Sequence, residues 1–168
     1  MSTLLCTALL TKIQEQIERT EHLIAMLPAD RLAWTPPVRD SWSTAKLLGH
    51  LMECLAGFCA VLAAMHPDRL AHFSQLRESP VNHDCAPGEA LERIAVYRRH
   101  IEEGFVLLRD ADLARLTPTI FVKSGEPALT LQLGNLEHLI NHKHQLFTYL
   151  KLMGVEANTR DLYQFREG

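Results

Sequence analysis

The sequence predicts an all-α protein, a four-helix bundle forming one domain over residues 1–168, and three observations carry that expectation. Four long stretches repeat apolar residues at the three-to-four spacing that lines one face of a helix. The prolines fall between these stretches or at their edges, where they end helices or start them. No stretch reads as a convincing sheet and no internal repeat is visible, so the apolar stripes must be buried against one another. A chain of 168 residues can bury roughly 70% of its unfolded surface, enough for one core.

A first helix is expected over residues 3–27, with Leu5, Leu9, Ile13, Ile17, Ile24 and Leu27 on its apolar side and Pro28 ending it. Residues 28–43 hold three prolines and are a loop, whose Trp34 and Trp42 are expected to fold over one end of the bundle. Ser43 is placed to cap a second helix over 44–65, with Leu47, Leu48, Leu51, Leu55, Phe58, Val61 and Leu62 apolar and His50 among them. The long connection 66–87 suits a crossing between helices that run parallel, with a short helix near 69–77. Pro87 fits the first turn of a third helix over 88–110. One more turn is expected at Leu113–Leu116, then an irregular stretch or short hairpin with its turn at Ser124-Gly125. The fourth helix is expected over 130–153, capped by Thr130 and stopped by Gly154. The tail around Asp161–Phe165 is expected to fold back onto the bundle.

Composition narrows the function classes. The net charge is −3 with no basic run, which disfavours binding nucleic acid by neutralising phosphates. No run of about 18 uninterrupted apolar residues occurs, so no membrane span is expected. The first residues, Met1 to Cys6, have no basic segment or cleavage pattern of a secretory leader. Cys6, Cys54, Cys59 and Cys85 form no CxxC pair. They are expected to be free thiols, which places the protein in the reducing cytoplasm.

The most informative stretch is Leu136 to Leu150, which contains His138 and His142. Residues four apart share one helix face, so two imidazoles can reach one ion, as in the zinc-binding helix of metalloproteases. The Glu of HExxH is missing, so that protease mechanism does not transfer. His50, on the apolar face of the second helix, is the candidate third ligand. A lone His there is more commonly a hydrogen-bonded core residue, and the pair alone is more commonly ordinary helix surface. Together they match the three protein ligands of an open catalytic zinc site. His144 lies two residues past His142, about 200° around the helix, and should face solvent.

Ser41-Trp42-Ser43 leading into Leu47-Leu48-Gly49-His50-Leu51 resembles the second-helix signature of the DinB/YfiT-like superfamily. So do His138-xxx-His142, Lys143, Gln145-Leu146-Phe147, Tyr149-Leu150 and Gly154, and the closing Leu162-Tyr163. Many members carry two adjacent histidines where this chain has Asn141-His142, but the first of those is not the aligned ligand. The resemblance implies a bundle that forms homodimers and holds a divalent ion, zinc or nickel, on His50, His138 and His142. It implies a thiol-dependent transferase or isomerase, with a low-molecular-weight thiol as cosubstrate, or a hydrolase acting on a small molecule. The alternative is a non-catalytic metal- or ligand-binding module of the stress response. Glu53 and Glu137 lie near the histidines in sequence but are expected to point about 100° away, which leaves no general base assigned.

Overall fold

Helices form where the apolar stripes lie. The computed structural model describes residues 2–119 and 122–163. In it α1 spans Leu4–Ala25, α2 Thr44–Met65, α3 Pro87–Val106, α4 Ala128–Leu152 and the short α5 Thr159–Tyr163. Two-residue strands β1 (Leu116–Thr117) and β2 (Glu126–Pro127) pair antiparallel between α3 and α4. With the 3-10 turns at Ala29–Arg31, Ala71–Glu78 and Asp110–Ala114 included, 69% of the described residues are helical.

Contacts across the bundle fix the directions. Gln14 reaches Glu102 at 2.8 Å and Cys6 N–H donates to Asp110, so α1 and α3 run antiparallel. Cys85 N–H donates to the Ala45 carbonyl, Cys59 lies against the Tyr97 carbonyl, and Gly104 packs on Leu62. Rising numbers meet rising numbers, so α2 and α3 are parallel, as the long connection implied. Phe58 accepts from Gln132 while His50 meets His138 and His142, so α2 and α4 are antiparallel. α2 packs on α3 and α4, and α1 closes the other side against the same two helices. Leu47, Leu48, Leu51, Met52, Phe58 and Leu62 of α2 are fully buried. That explains why this helix is long and apolar enough to cross a bilayer by composition, yet sits mostly inside the fold.

Several ends differ from the sequence reading. α1 stops at Ala25, Leu5 is exposed, and Cys6 and Leu23 are buried instead. α3 ends at Val106, four residues early, because Leu107 and Leu108 turn tightly onto Gly104 and Phe105. Leu108 is still buried from that turn, which is why the apolar recurrence ran on. Thr130 does not cap α4. Pro127 leaves β2 extended and the helix begins at Ala128, whose N–H donates to the Arg115 carbonyl. Ser43 does cap α2, accepting from Lys46 N–H at 3.1 Å, and Pro87 opens α3. Gly154 stands at φ +82 just after α4, a left-handed conformation that costs a glycine little. Leu162 of the tail is buried; Gln164 and Phe165 lie outside the described residues.

The connection between α2 and α3 is bolted onto the start of α2. Asn82 N–H donates to the Gly49 carbonyl at 3.1 Å, and Lys46 donates to the Asn82 carbonyl. Gly49 is required by this approach, because a Cβ there would lie 1.9 Å from the His83 carbonyl oxygen. Gly49→Ala should therefore push the connection outward and cost about 1–3 kcal/mol in denaturant unfolding. Gly134, in α4, has nothing within 4 Å of an added Cβ. Gly134→Ala should instead stabilise by about 0.5–1 kcal/mol through helix propensity. Equal effects of the two substitutions would contradict the packing described.

Candidate metal centre

The antiparallel α2–α4 contact brings together the three histidines singled out in the sequence. His50 stands in the second turn of α2, between the buried Leu48 and Leu51. His138 and His142 stand one turn apart on α4, flanked by the buried Leu139 and Lys143. All three rings are partly exposed, so the cluster is reachable from solvent. The Nε2 of His50 lies 3.0 Å from that of His138 and 3.1 Å from that of His142.

Hydrogen bonds hold two of the rings from behind and decide which nitrogen faces inward. The Tyr149 hydroxyl donates to the Trp42 carbonyl at 3.1 Å, since a carbonyl can only accept. Its oxygen therefore accepts from the Gln145 amide nitrogen, 3.1 Å away. That turns the Gln145 carbonyl oxygen toward His142 Nδ1, at 2.9 Å, and puts the ring proton on Nδ1. The Nε2 lone pair is left facing the cluster. His50 Nδ1 lies 2.5 Å from Asn82 Oδ1 and 2.9 Å from Glu53 Oε2. Both are acceptors, so this ring also carries its proton on Nδ1. The Asn82 amide donates to Glu53 at 2.8 Å and completes the brace.

Electrostatics favours the uncharged form of His138 and His142. Burial is the largest influence lowering His138 below the ordinary histidine value, with the neighbouring His50 adding to it. Burial likewise lowers His142, opposed by the Gln145 bond and helped by the other two imidazoles. Neutral imidazole is the form that binds metal. Inward lone pairs about 3 Å apart repel, and a single shared proton can relieve only one contact at a time. A cation between the rings relieves both of the contacts that His50 Nε2 makes. Tetrahedral zinc with Zn–N of about 2.0–2.1 Å sets its nitrogens roughly 3.3–3.4 Å apart, close to the spacing here. The donor set of His50, His138 and His142 therefore fits a divalent ion.

Trp42 forms one wall of the centre. Its ring lies 4.6 Å from that of His50 and stacks on His142 at 5.7 Å, while Trp34 packs edge-on to Tyr149 at 5.3 Å. The two tryptophans thus cover this end of the bundle, as expected, and one of them flanks the histidines. His144 is exposed, also as expected.

One expectation fails. Glu53 does not point away: it is three residues from His50, hence on the same helix face, and its carboxylate touches the ring. Asn82 was missed altogether. It sits in a connection with no periodicity, and its only local signal is a residue type that tolerates the φ of +57 found there.

Comparison with known proteins agrees with this picture. A sequence model described as the DinB family matches residues 1–168. The fold is similar to the crystal structure of a DinB-like protein from Bacillus subtilis, with a TM-score of 0.65 over 88% of this chain and 92% of that one. The two are 19% identical, so the likeness is one of fold. No curated protein matches.

Asn82→Ala should weaken zinc or nickel binding about 10–100-fold in a calorimetric titration, the usual effect of removing a group that orients a ligand, whereas His144→Ala should leave it unchanged. Because His138 and His142 titrate below about 6.5, affinity should hold near neutral pH and fall as protons compete below that value. The metal-free fold should follow the same sign. His138 and His142 bind fewer protons there than in the unfolded chain, so their contribution to stability is greatest above about 6.5 and declines as pH drops toward the lowered folded values. Affinity or melting temperature rising on acidification would contradict both statements.

Proposed function

The chain belongs to the DinB family, and on that premise we propose that it is a divalent-metal-dependent enzyme acting on a small molecule at the His50–His138–His142 centre. The observation that carries the reading is the convergence of three imidazoles, two of them oriented by hydrogen bonds from behind, at a solvent-reachable point. Three protein ligands are the number that leaves a position open for chemistry, whereas structural zinc sites are normally closed by four. Zinc or nickel fits imidazole donors. When bound, the ion would act as a Lewis acid on an oxygen or sulfur of the substrate.

The protein's own groups have separable tasks. Gln145, Tyr149 and the Trp42 carbonyl fix the ring of His142; Asn82 and Glu53 fix that of His50. Trp42 supplies an apolar wall against which part of a substrate can lie. Glu53 meets His50 on the Nδ1 side, away from the cluster, and is bonded to Asn82, so its carboxylate serves to hold the ring. The reaction proposed is transfer of a low-molecular-weight thiol to a small electrophile, or hydrolysis of a small molecule. With it we propose a homodimer, following the family resemblance.

The test is activity of the metal-loaded protein with a panel of small electrophiles plus thiol, and with ester and amide substrates. Turnover should exceed background, disappear on chelation and return with zinc or nickel. It should fall by at least about 100-fold in His142→Ala, which removes a ligand and so about 2.7 kcal/mol or more of barrier lowering. Metal-loaded protein that accelerates neither class would overturn the proposal. Light scattering at micromolar concentration should give twice the chain mass of 19.0 kDa; the single-chain mass would remove the dimer.

A further inference from the structure

His83, Cys85 and Glu89 form a second cluster of metal-binding side chains, made from none of the three centre histidines. One ligand atom of each lies within 4.8 Å of those of the other two. His83 Nε2 is 2.7 Å from Glu89 Oε1. The other ring nitrogen, Nδ1, is buried with no hydrogen-bond partner among the described residues, which leaves polar capacity there without a counterpart. Cys85 is almost fully buried, while His83 and Glu89 are partly exposed. An ion could therefore enter from solvent past the imidazole and carboxylate to reach the sulfur.

We propose that His83, Cys85 and Glu89 are the ligands of a second divalent-metal site, of zinc type, that ties the α2–α3 connection to the first turn of α3.

The backbones that carry these ligands are fixed before any ion arrives. Cys85 N–H is bonded to the Ala45 carbonyl at 3.0 Å, and the His83 carbonyl fills the space left by Gly49. Glu89 is the third residue of α3, directly after Pro87 and Gly88. Ligands held in place by packing lose little freedom on binding. One sulfur, one imidazole and one carboxylate suit zinc, and a thiolate in the set disfavours magnesium and calcium. Arg93 is the competing cation. Its Nη1 is 3.6 Å from Glu89 without a hydrogen bond, while its Nη2 is engaged by donating to the Tyr97 hydroxyl. Glu89 is therefore not locked to the guanidinium. Burial, reinforced by Glu89, pushes the Cys85 thiol up to about 12. Binding accordingly exchanges a proton for the ion: the S–H bond breaks, the proton passes to solvent and the sulfur–metal bond forms.

Cobalt(II) separates this site from the histidine centre, because sulfur ligation gives a near-ultraviolet charge-transfer band that imidazole ligation does not. Titration of the full metal-free chain should show that band and two bound ions per chain. Cys85→Ser and His83→Ala should each lose the band and one of the two ions. His142→Ala should keep the band and lose only the other ion. If Cys85→Ser does not fold, His83→Ala and Glu89→Gln carry the test. A wild type without the band overturns the proposal, as does a band that persists unchanged in Cys85→Ser or His83→Ala. Loss of the ion bound at His142 leaves the band as an independent readout, so the two centres can fail separately.

Discussion

The close antiparallel contact between α2 and α4 is what the rest of the molecule depends on. α2 is the most apolar helix, and its Leu, Met and Phe side chains are buried from several sides. Its approach to α4 is close enough that Gly57 faces Asn135 where a Cβ would lie 2.6 Å from the amide oxygen. The Phe58 carbonyl meanwhile accepts from the buried Gln132. Because the helices run in opposite directions, the early turns of α2 meet the later turns of α4. That register sets His50 against His138 and His142. A slip of one residue would turn the rings by about 100° and dissolve the cluster.

The other elements hold the end of that contact in shape. The Trp34–Trp42 loop lays an aromatic wall across it and lends a carbonyl to Tyr149. The α2–α3 connection returns the length of the bundle and places Asn82 behind His50. At the opposite end α1 lacks a side-chain cap of its own. Asp110, in the turn after α3, supplies one by accepting from Cys6 N–H and the Ser2 hydroxyl. A carboxylate there also suits the positive end of the helix dipole. The polar bonds of the loops thus fix both ends of a bundle whose middle is held by apolar packing.

Lys143 shows how far burial can override residue type. It follows His142 in sequence, and its direction around α4 carries it inward, between α1 and α5. Its ammonium donates to Gln16 Oε1 at 2.8 Å and to the Leu162 carbonyl at 3.3 Å. Burial, with Arg19 nearby, brings it down to about 8. A lysine beside an exposed histidine would ordinarily be placed on the surface. Here the short α5 covers it, and the tail is joined to the bundle through that bond.

The four long helices, the parallel pair implied by the long connection, the Ser43 cap and the Gly154 stop were legible in the sequence. Each depends on local chemistry: apolar period, proline, capping hydroxyl, left-handed glycine. The identities of His50, His138 and His142 were legible as well, because i,i+4 spacing is a property of one helix, His50 interrupts the apolar face of another, and the resemblance joined the three. The start of α4 at Ala128 was not, since a short hairpin imposed it in place of the Thr130 cap. The nitrogen that each of His50 and His142 turns inward was decided by Asn82, Glu53, Gln145 and Tyr149. The burial of Lys143 and the meeting of His83, Cys85 and Glu89 were also tertiary outcomes. These features depend on contacts between segments far apart in the chain, and such contacts leave no periodic trace in either segment.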